Sequence, residues 1–200
     1  MGRRSNHSRE ELQEMVITAA REIVATEGVR ELSTRKIVAR IGYTVGTLYH
    51  FFKNLDDIIM HVNGVTLDML HEFLSMRASK ADKATKVQNL AHGYIEFSKK
   101  HFAEWQLLFE YSMPIDMEYP EWYEKKIVRL FNLAQQTLDA QVKLPASVLP
   151  RASRVLWSGI HGICSLYHTG KLHKTNSETA EILLDDFIVY YLAGLKQDVG

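Results

Sequence analysis

The sequence predicts an all-α protein in which a small helix-turn-helix head precedes a larger helical body. Apolar residues recur at helical spacing along most of the chain, and no stretch alternates with period two for long enough to form a sheet. The four prolines lie between these periodic stretches, where proline ends or starts helices. We expect about nine helices, and 200 residues with 46% hydrophobic content can bury a core.

The first helices are marked by capping residues. Ser8 and Glu11 form a capping box that opens the first helix, and Gly28 ends that helix. Ser33 caps a short second helix that ends at Gly42, and helical spacing resumes at Leu48. Asn54 then caps a long helix, and further helices are predicted at roughly 82–100, 102–112, 120–141, 148–169 and 177–196.

The candidate domain boundary lies near residue 54. Residues 1–54 form the predicted head domain, and residues 55–200 form the predicted body domain. Residues 1–55 hold nine Lys/Arg and six Glu, a charge of +3, so the remaining fifteen Lys/Arg and eighteen Asp/Glu give −3. A basic first quarter on an acidic body favours a nucleic-acid reader joined to a part with another task.

Composition also limits the location of the protein. No apolar run approaches the ~18 residues of a membrane span, and the first residues lack the apolar core of a signal peptide. Cys164 is the single cysteine and cannot form an internal disulfide. We therefore expect a cytoplasmic protein without a membrane partner.

Residues 32–54 carry the most informative motif. A short helix, a tight turn at Gly42 and a second short helix form a helix-turn-helix, whose second helix enters the major groove of double-stranded DNA. The pattern resembles the TetR family of bacterial transcriptional regulators over roughly residues 8–62. The matching residues are Gly28, Leu32-Ser33-Thr34-Arg35, Ile37, Gly42, Gly46-Thr47-Leu48-Tyr49, Phe51 or Phe52, and Lys53-Asn54. Val38 departs from the small alanine usual in the family, and Leu55 from a lysine that touches the DNA backbone.

This resemblance implies a set of DNA-binding residues. Thr34, Tyr49, His50 and Lys53 would bond phosphates, while Thr44, Val45 and Thr47 would meet base edges or thymine methyl groups. Gly46 would allow a close approach to DNA. Arg35 would either reach a guanine or remain solvated, and the alternative for Tyr49 is a core tyrosine. Arg3 and Arg4 would form an arm that adds salt-dependent affinity.

The C-terminal helices suggest a dimer. Residues 157–163 read Trp-Ser-Gly-Ile-His-Gly-Ile, which resembles the Trp…His-Gly signature of one TetR subgroup. Two helices from each subunit would form a four-helix bundle, and a homodimer through the last two helices follows. Two heads are also needed because one short helix-turn-helix reads too few base pairs.

Aromatic residues concentrate in the central helices, where the resemblance implies a pocket for a small apolar or aromatic effector. An ordinary core is the alternative for each of them. The predicted lining residues are Phe73, Tyr94, Phe97, His101, Trp105, Phe109, Trp122, Phe131 and His161. The resulting hypothesis is a ligand-responsive regulator, a repressor that its effector releases from the operator. Residues 1–54 would then be the DNA-binding domain, and residues 55–200 would be the effector-binding and dimerisation domain.

Other functions compete with this hypothesis. His161, Cys164 and His168 share one helical face and resemble a soft-metal ligand set, yet packing alone also explains them, so no metal or cofactor is expected. An all-α enzyme with a hydrophobic pocket is disfavoured because the chain has no Gly-rich phosphate loop, HExxH or G-x-S-x-G motif. A DNA-binding architectural protein without an effector is the third alternative.

Overall fold

The computed structural model describes residues 7–114, 116–172 and 179–198, and this part of the chain is mostly helical and contains no strand. The all-α prediction is confirmed. Within these residues there are nine α-helices: α1 (Arg9–Glu27), α2 (Thr34–Ile41), α3 (Val45–Leu48), α4 (Leu55–Lys80), α5 (Lys86–Lys100), α6 (Phe102–Glu110), α7 (Glu121–Val142), α8 (Leu149–His168) and α9 (Ala180–Asp198).

The helix starts follow the predicted caps. Ser8 and Glu11 bond each other's backbone amides reciprocally, which completes the capping box of α1. The Ser33 hydroxyl accepts a bond from the Lys36 amide, and the Asn54 side chain accepts one from the Asp57 amide at 2.8 Å. The start of α5 differs from prediction, because a 3-10 turn at Lys83–Thr85 delays it from about residue 82 to Lys86.

The chain packs as two compact units. The first comprises Met1–Thr66 and His101–Tyr123, and the second comprises Leu67–Lys100 and Glu124–Gly200. Helix α4 therefore contributes its first half to one unit and its second half to the other. These units describe packing, whereas the functional boundary near residue 54 stays a prediction.

The core of the first unit holds the helix-turn-helix in place. Its buried side chains come from α1, α2, the end of α3, α4 and α6, with Val38 among them at 7% exposure. Val38, where the family usually has alanine, is thus a buried packing residue. Leu107 of α6 is fully buried in the same core. Helix α6 therefore packs with the helix-turn-helix as part of one unit.

The core of the second unit lies among α5, α8 and α9. Its buried residues recur one or two turns apart, as at Ile160 and Cys164 on α8 and at Leu184 and Ile188 on α9. A Cβ added at Gly159 would lie 2.2 Å from the Phe187 ring, so the glycine is what allows α8 and α9 to approach closely. In the part of the chain that the structure describes, no helix is long and apolar enough to cross a membrane.

Candidate nucleic-acid interface and effector-binding residues

The turn between α2 and α3 is fixed by backbone geometry. Gly42 adopts the left-handed conformation (φ 74°), which an L side chain rarely tolerates, and its amide bonds the carbonyl of Val38 at 3.0 Å. Thr44 then caps α3, since its hydroxyl oxygen accepts a bond from the Thr47 amide at 3.2 Å. A glycine turn followed by a threonine cap therefore orients a single-turn recognition helix.

The predicted DNA-binding side chains lie on the outside of this motif. Tyr49 is 49% exposed, which rules out the alternative of a core tyrosine, whereas Leu48 and Phe52 beside it are buried. The remaining predicted residues are either exposed (Arg35, Thr44, Gly46, His50 and Lys53) or half-buried (Thr34, Val45 and Thr47). The first unit thus presents this set of polar and small residues to solvent along one motif.

Packing within the described chain does not explain why residue 46 is a glycine. A Cβ added there would meet only the Thr44 hydroxyl oxygen, at an ordinary distance of 3.8 Å. Glycine in a helix costs about 1 kcal/mol relative to alanine. Because the interior of the protein does not need the missing side chain, the benefit has to come from something outside it.

The cations of the motif fall into two groups. Lys36 bonds both Glu27 and Glu31, and Arg40 bonds Glu27 at 2.8 Å. The bonds that Lys36 donates to Glu27 and Glu31 raise the pKa of Lys36, and the one it donates to Glu27 lowers the pKa of that carboxyl group. Arg35 and Lys53, in contrast, are exposed and form no ion pair with the described residues.

Lys53 is held by the start of α4. Its backbone amide bonds the Asp57 carboxylate at 2.9 Å, while Asn54 caps the Asp57 amide. These local bonds fix the backbone of Lys53 and leave its ammonium group in solvent. His7 bonds the Tyr43 hydroxyl at 2.8 Å, which ties the start of the described chain to the turn. Arg3 and Arg4, the predicted arm, lie outside the described residues.

Packing in the second unit brings four aromatic side chains together. Three of them, Tyr94, Phe131 and His161, are predicted lining residues, and the fourth is Trp157. The Tyr94 hydroxyl lies 2.7 Å from His161 Nδ1, and Trp157 stacks on His161 with ring centroids 5.0 Å apart. Phe131 meets the edge of Trp157 at 5.7 Å. The remaining predicted lining residues of this unit, Phe73 and Phe97, form an edge-to-face pair at 5.8 Å.

Four predicted lining residues belong to the first unit instead: His101, Trp105, Phe109 and Trp122. Trp105 is fully buried and packs against Phe109 at 5.5 Å, and His101 precedes α6. Trp122 stacks on His61 with ring centroids 4.7 Å apart. Local spacing gives no signal for His61 or for the bond from Tyr111 to Asp56 at 2.6 Å, so neither was predicted. Trp157 was noted only as part of the Trp…His-Gly signature, although it lies one helical turn from His161.

The residues of the metal hypothesis have other partners in the structure. Ser98 has one hydroxyl proton, which it donates to the Ile95 carbonyl oxygen at 2.8 Å. Its oxygen accepts from the Cys164 thiol at 3.0 Å, so His168 Nε2 at 2.8 Å also carries a proton and donates to it. His161 bonds Tyr94. Among the described residues, no three His, Cys, Asp or Glu side chains are placed to share a metal ion.

Two family models match the sequence. The model described as bacterial regulatory proteins, tetR family, covers residues 16–62. The model described as tetracyclin repressor-like, C-terminal domain, covers residues 87–187, about half of the chain. The chain belongs to the TetR family of bacterial DNA-binding transcriptional regulators, so the predictions of family and of a DNA-binding regulator are confirmed. A comparison with curated proteins found no match.

Solved structures share the fold. A protein from Rhodococcus sp. RHA1 is similar with a TM-score of 0.75 at 17% identity, covering 98% of this chain and 100% of that one. The regulator FadR from Bacillus subtilis, solved in complex with stearoyl-CoA, has a TM-score of 0.68 at 14% identity over 90% of this chain and 98% of its own. The TetR-family regulator PfmR from Thermus thermophilus reaches 0.60 at 16% identity, covering 90% and 98%.

Proposed function

We propose that the protein is a homodimeric repressor that binds an operator through α2 and α3 and is released by a small apolar or aromatic effector. The observation that carries this proposal is the row formed by the exposed residues Thr44, Gly46 and Tyr49, with Thr47 half-buried among them. This row lies above the buried Leu48 and Phe52. Buried residues set the angle of the helix, and the exposed ones are small enough to enter a major groove. The protein acts in the cytoplasm, where the operator is.

Roles within this interface follow from chemistry. Tyr49, His50, Lys53 and Thr34 donate to phosphates, and they fix the register of the protein on DNA without reading sequence. Thr44, Val45 and Thr47 contact base edges or thymine methyl groups. Arg35 is exposed and without an ion pair among the described residues, which supports a guanine contact over a purely solvated role.

The dimer forms through α8 and α9. Both helices carry exposed apolar side chains, which a monomer would leave in water: Val155, Leu166, Ile182, Val189 and Tyr190. Tyr190 is 71% exposed. Large exposed apolar residues on neighbouring elements are typical of an interaction surface. A two-fold axis there would present two recognition helices to the two halves of an operator.

The effector binds among the aromatic residues of the second unit. The Tyr94–His161 pair supplies polar groups beside Trp157 and Phe131, which is the combination of apolar walls and few polar atoms that ligand sites use. The complex of the neighbour FadR with stearoyl-CoA makes acyl-CoA thioesters one class to test. Effector binding shifts the population toward a state that does not fit the operator.

Fluorescence anisotropy on DNA from upstream of the protein's own gene tests the DNA-binding part of the proposal. Wild type should bind this DNA more tightly than scrambled DNA, and Tyr49→Phe, which removes one phosphate bond, should weaken binding about tenfold. Equal binding to scrambled DNA, followed by failure to recover any site in a genome-wide selection of bound fragments, would contradict the proposal.

A further inference from the structure

The start of α1 contacts the chain on both sides of the recognition helix α3. His7, two residues before α1, lies with its Nδ1 2.8 Å from the hydroxyl of Tyr43, which precedes α3 by two residues. Arg9 is the first residue of α1, and its guanidinium carbon lies 5.7 Å from the centroid of the Phe51 ring, three residues after α3. The first turn of α1 therefore lies alongside the segment that carries the predicted DNA contacts.

Local contacts fix the surroundings of Arg9. The Ser8 hydroxyl accepts a bond from the Glu11 amide at 3.1 Å, and the Ser8 amide donates one to the Glu11 carboxylate at 2.7 Å, so the first turn of α1 is held by its cap. Phe51 is half-buried and packs against the core of the first unit. The Arg9 side chain thus extends from a capped helix end to a ring that the core holds in place.

The charge of Arg9 is not neutralised by the described part of the chain. Arg9 is exposed, and its guanidinium forms no ion pair or hydrogen bond with the described residues. A carboxylate three or four positions along α1 could pair with it, but these positions hold Leu12 and Gln13. Arg21, on the same helix, lies 3.8 Å from Glu104 instead. Arg9 is therefore a cation of the first unit that an external anion can pair with.

The contact with the ring leaves the hydrogen-bonding groups of Arg9 free. A guanidinium carries five N–H donors in one plane, and a phenyl ring restricts its position without accepting these donors as an oxygen would. The exposed carboxylate of Glu10 follows in sequence, but successive residues of an α-helix are rotated by about 100°, so it lies on another face of α1. Phosphate oxygens are acceptors that the planar guanidinium binds in pairs.

We propose that Arg9 binds a phosphate group of the DNA backbone and that Phe51 is the positioning residue that orients its guanidinium. The inference rests on the proposed function, because α2 and α3 must first place the first unit against DNA. Phe51 lies between His50 and Lys53 in sequence, both of them predicted phosphate contacts, so Arg9 extends the same set of contacts from α3 to α1. This contact adds salt-dependent affinity and reads no sequence.

The salt dependence of DNA binding tests the Arg9 contact. Arg9→Met removes the charge but keeps an apolar side chain over the Phe51 ring, so its melting temperature should match that of wild type. Anisotropy titrations of the full chain use a scrambled DNA duplex between about 50 and 200 mM salt. Arg9→Met should weaken binding about tenfold at the lowest salt, and the slope of log K against log salt should become shallower by about 0.9 for each subunit on the DNA.

Two further variants serve as controls for the loss of charge. Lys83→Met removes an exposed cation from the 3-10 turn of the second unit and should leave affinity and slope unchanged. Arg9→Lys keeps the charge and should retain most of the slope, although it loses the paired hydrogen bonds of the guanidinium. A wild-type slope in Arg9→Met, or an equal change of slope in Lys83→Met, would overturn the proposal.

Phe51→Leu tests the positioning role, because leucine keeps an apolar side chain against the core and removes the ring face. It should weaken DNA binding about threefold when Arg9 is present and add no loss in the Arg9→Met background, where there is no guanidinium to orient. If Phe51 acts only through the fold, the loss will be the same in both backgrounds. That result would contradict the positioning role.

The same titrations on DNA from upstream of the protein's own gene separate this inference from the proposed function. A phosphate contact predicts the same fold loss for Arg9→Met on upstream and scrambled DNA. A loss confined to upstream DNA would overturn the phosphate contact, because it would mean that Arg9 reads sequence. If wild type binds both duplexes equally, the operator proposal fails, and the slope on scrambled DNA still decides the role of Arg9.

Discussion

A side chain at Gly46 should change protein stability and DNA affinity in opposite directions. Its added Cβ would meet only Thr44 at 3.8 Å, so Gly46→Ala should stabilise the first unit by about 0.5–1 kcal/mol through its helix propensity. The same methyl group would meet DNA, so operator affinity should fall by about tenfold or more. Thermal unfolding and anisotropy measure the two effects, and unchanged DNA affinity would show that no close approach occurs at this position.

His61 gives the first unit a pH dependence of known sign. Burial between Phe52 and Trp122 lowers the pKa of His61 below its ordinary value of about 6.5, although the Asp57 charge partly offsets this. The unfolded chain therefore binds the proton more tightly than the folded one. The stability that neutral His61 contributes is present above about pH 6.5 and is lost as the pH falls below it.

Urea unfolding at about pH 7.5 and pH 5 tests this expectation. His61→Phe keeps an aromatic ring against Trp122 but cannot be protonated, so it should lose less stability than wild type over this range. His71, whose pKa burial also lowers, stays in both proteins and serves as the common background. An equal loss in both proteins would show that His61 does not contribute to the pH dependence.

The sequence could not predict which side chains of the candidate site contact each other. The exposed positions of Tyr49, Lys53 and Gly46 were predictable because they belong to one short motif, and their roles on DNA stay predictions. Tyr94 and His161 were both predicted, but as separate lining residues, since nothing in local spacing pairs side chains 67 positions apart. The Ser98 network with Cys164 and His168 was missed for the same reason.

Elements were predicted more completely than partners. The caps at Ser8, Ser33 and Asn54 and the stop at Gly42 all act within one turn of the chain, so their effect is readable from sequence. The four-residue length of α3 was not readable, because Tyr49 to Phe51 continue as turns with bonds to Thr47 and Leu48. Tertiary packing of Leu48 and Phe52, not propensity, decides where that helix ends.

The close contact between α8 and α9 requires a residue without a side chain at Gly159. Gly159→Ala would place a Cβ 2.2 Å from the Phe187 ring, and displacing that ring should destabilise the second unit by about 1–3 kcal/mol. Gly162→Ala lies on the same helix with nothing within 4 Å, so it should be neutral or stabilising. Thermal melts of both variants decide the matter, and equal melting temperatures would show that the ring moves aside freely.

The assembly of the whole molecule is predicted from its exposed apolar surface. If α9 lies in a dimer interface, Val189→Glu should bury an unpaired charge there and give monomers. Val128→Glu on α7 changes a valine of nearly the same exposure, 54% against 56%, and should leave the dimer intact. Light scattering after gel filtration gives the mass, and operator affinity should fall at least about a hundredfold with the monomer.

A monomeric Val128→Glu variant, or a dimeric Val189→Glu variant, would place the interface elsewhere. The division of the chain also bears on this experiment, because α8 and α9 both belong to the second unit while the residues that we propose to contact DNA belong to the first. A variant that breaks the dimer should therefore leave the unfolding of the first unit unchanged.

The buried thiol of Cys164 can be used to measure transient opening of the second unit. It is the single cysteine of the sequence, it is fully buried, and burial raises its pKa to about 11. A thiol-specific label therefore reacts only in molecules whose second unit has transiently unfolded around α8. The labelling rate, followed by mass spectrometry with each candidate effector in turn, would rank ligands by how strongly they close that unit, without any DNA, added tag or substitution.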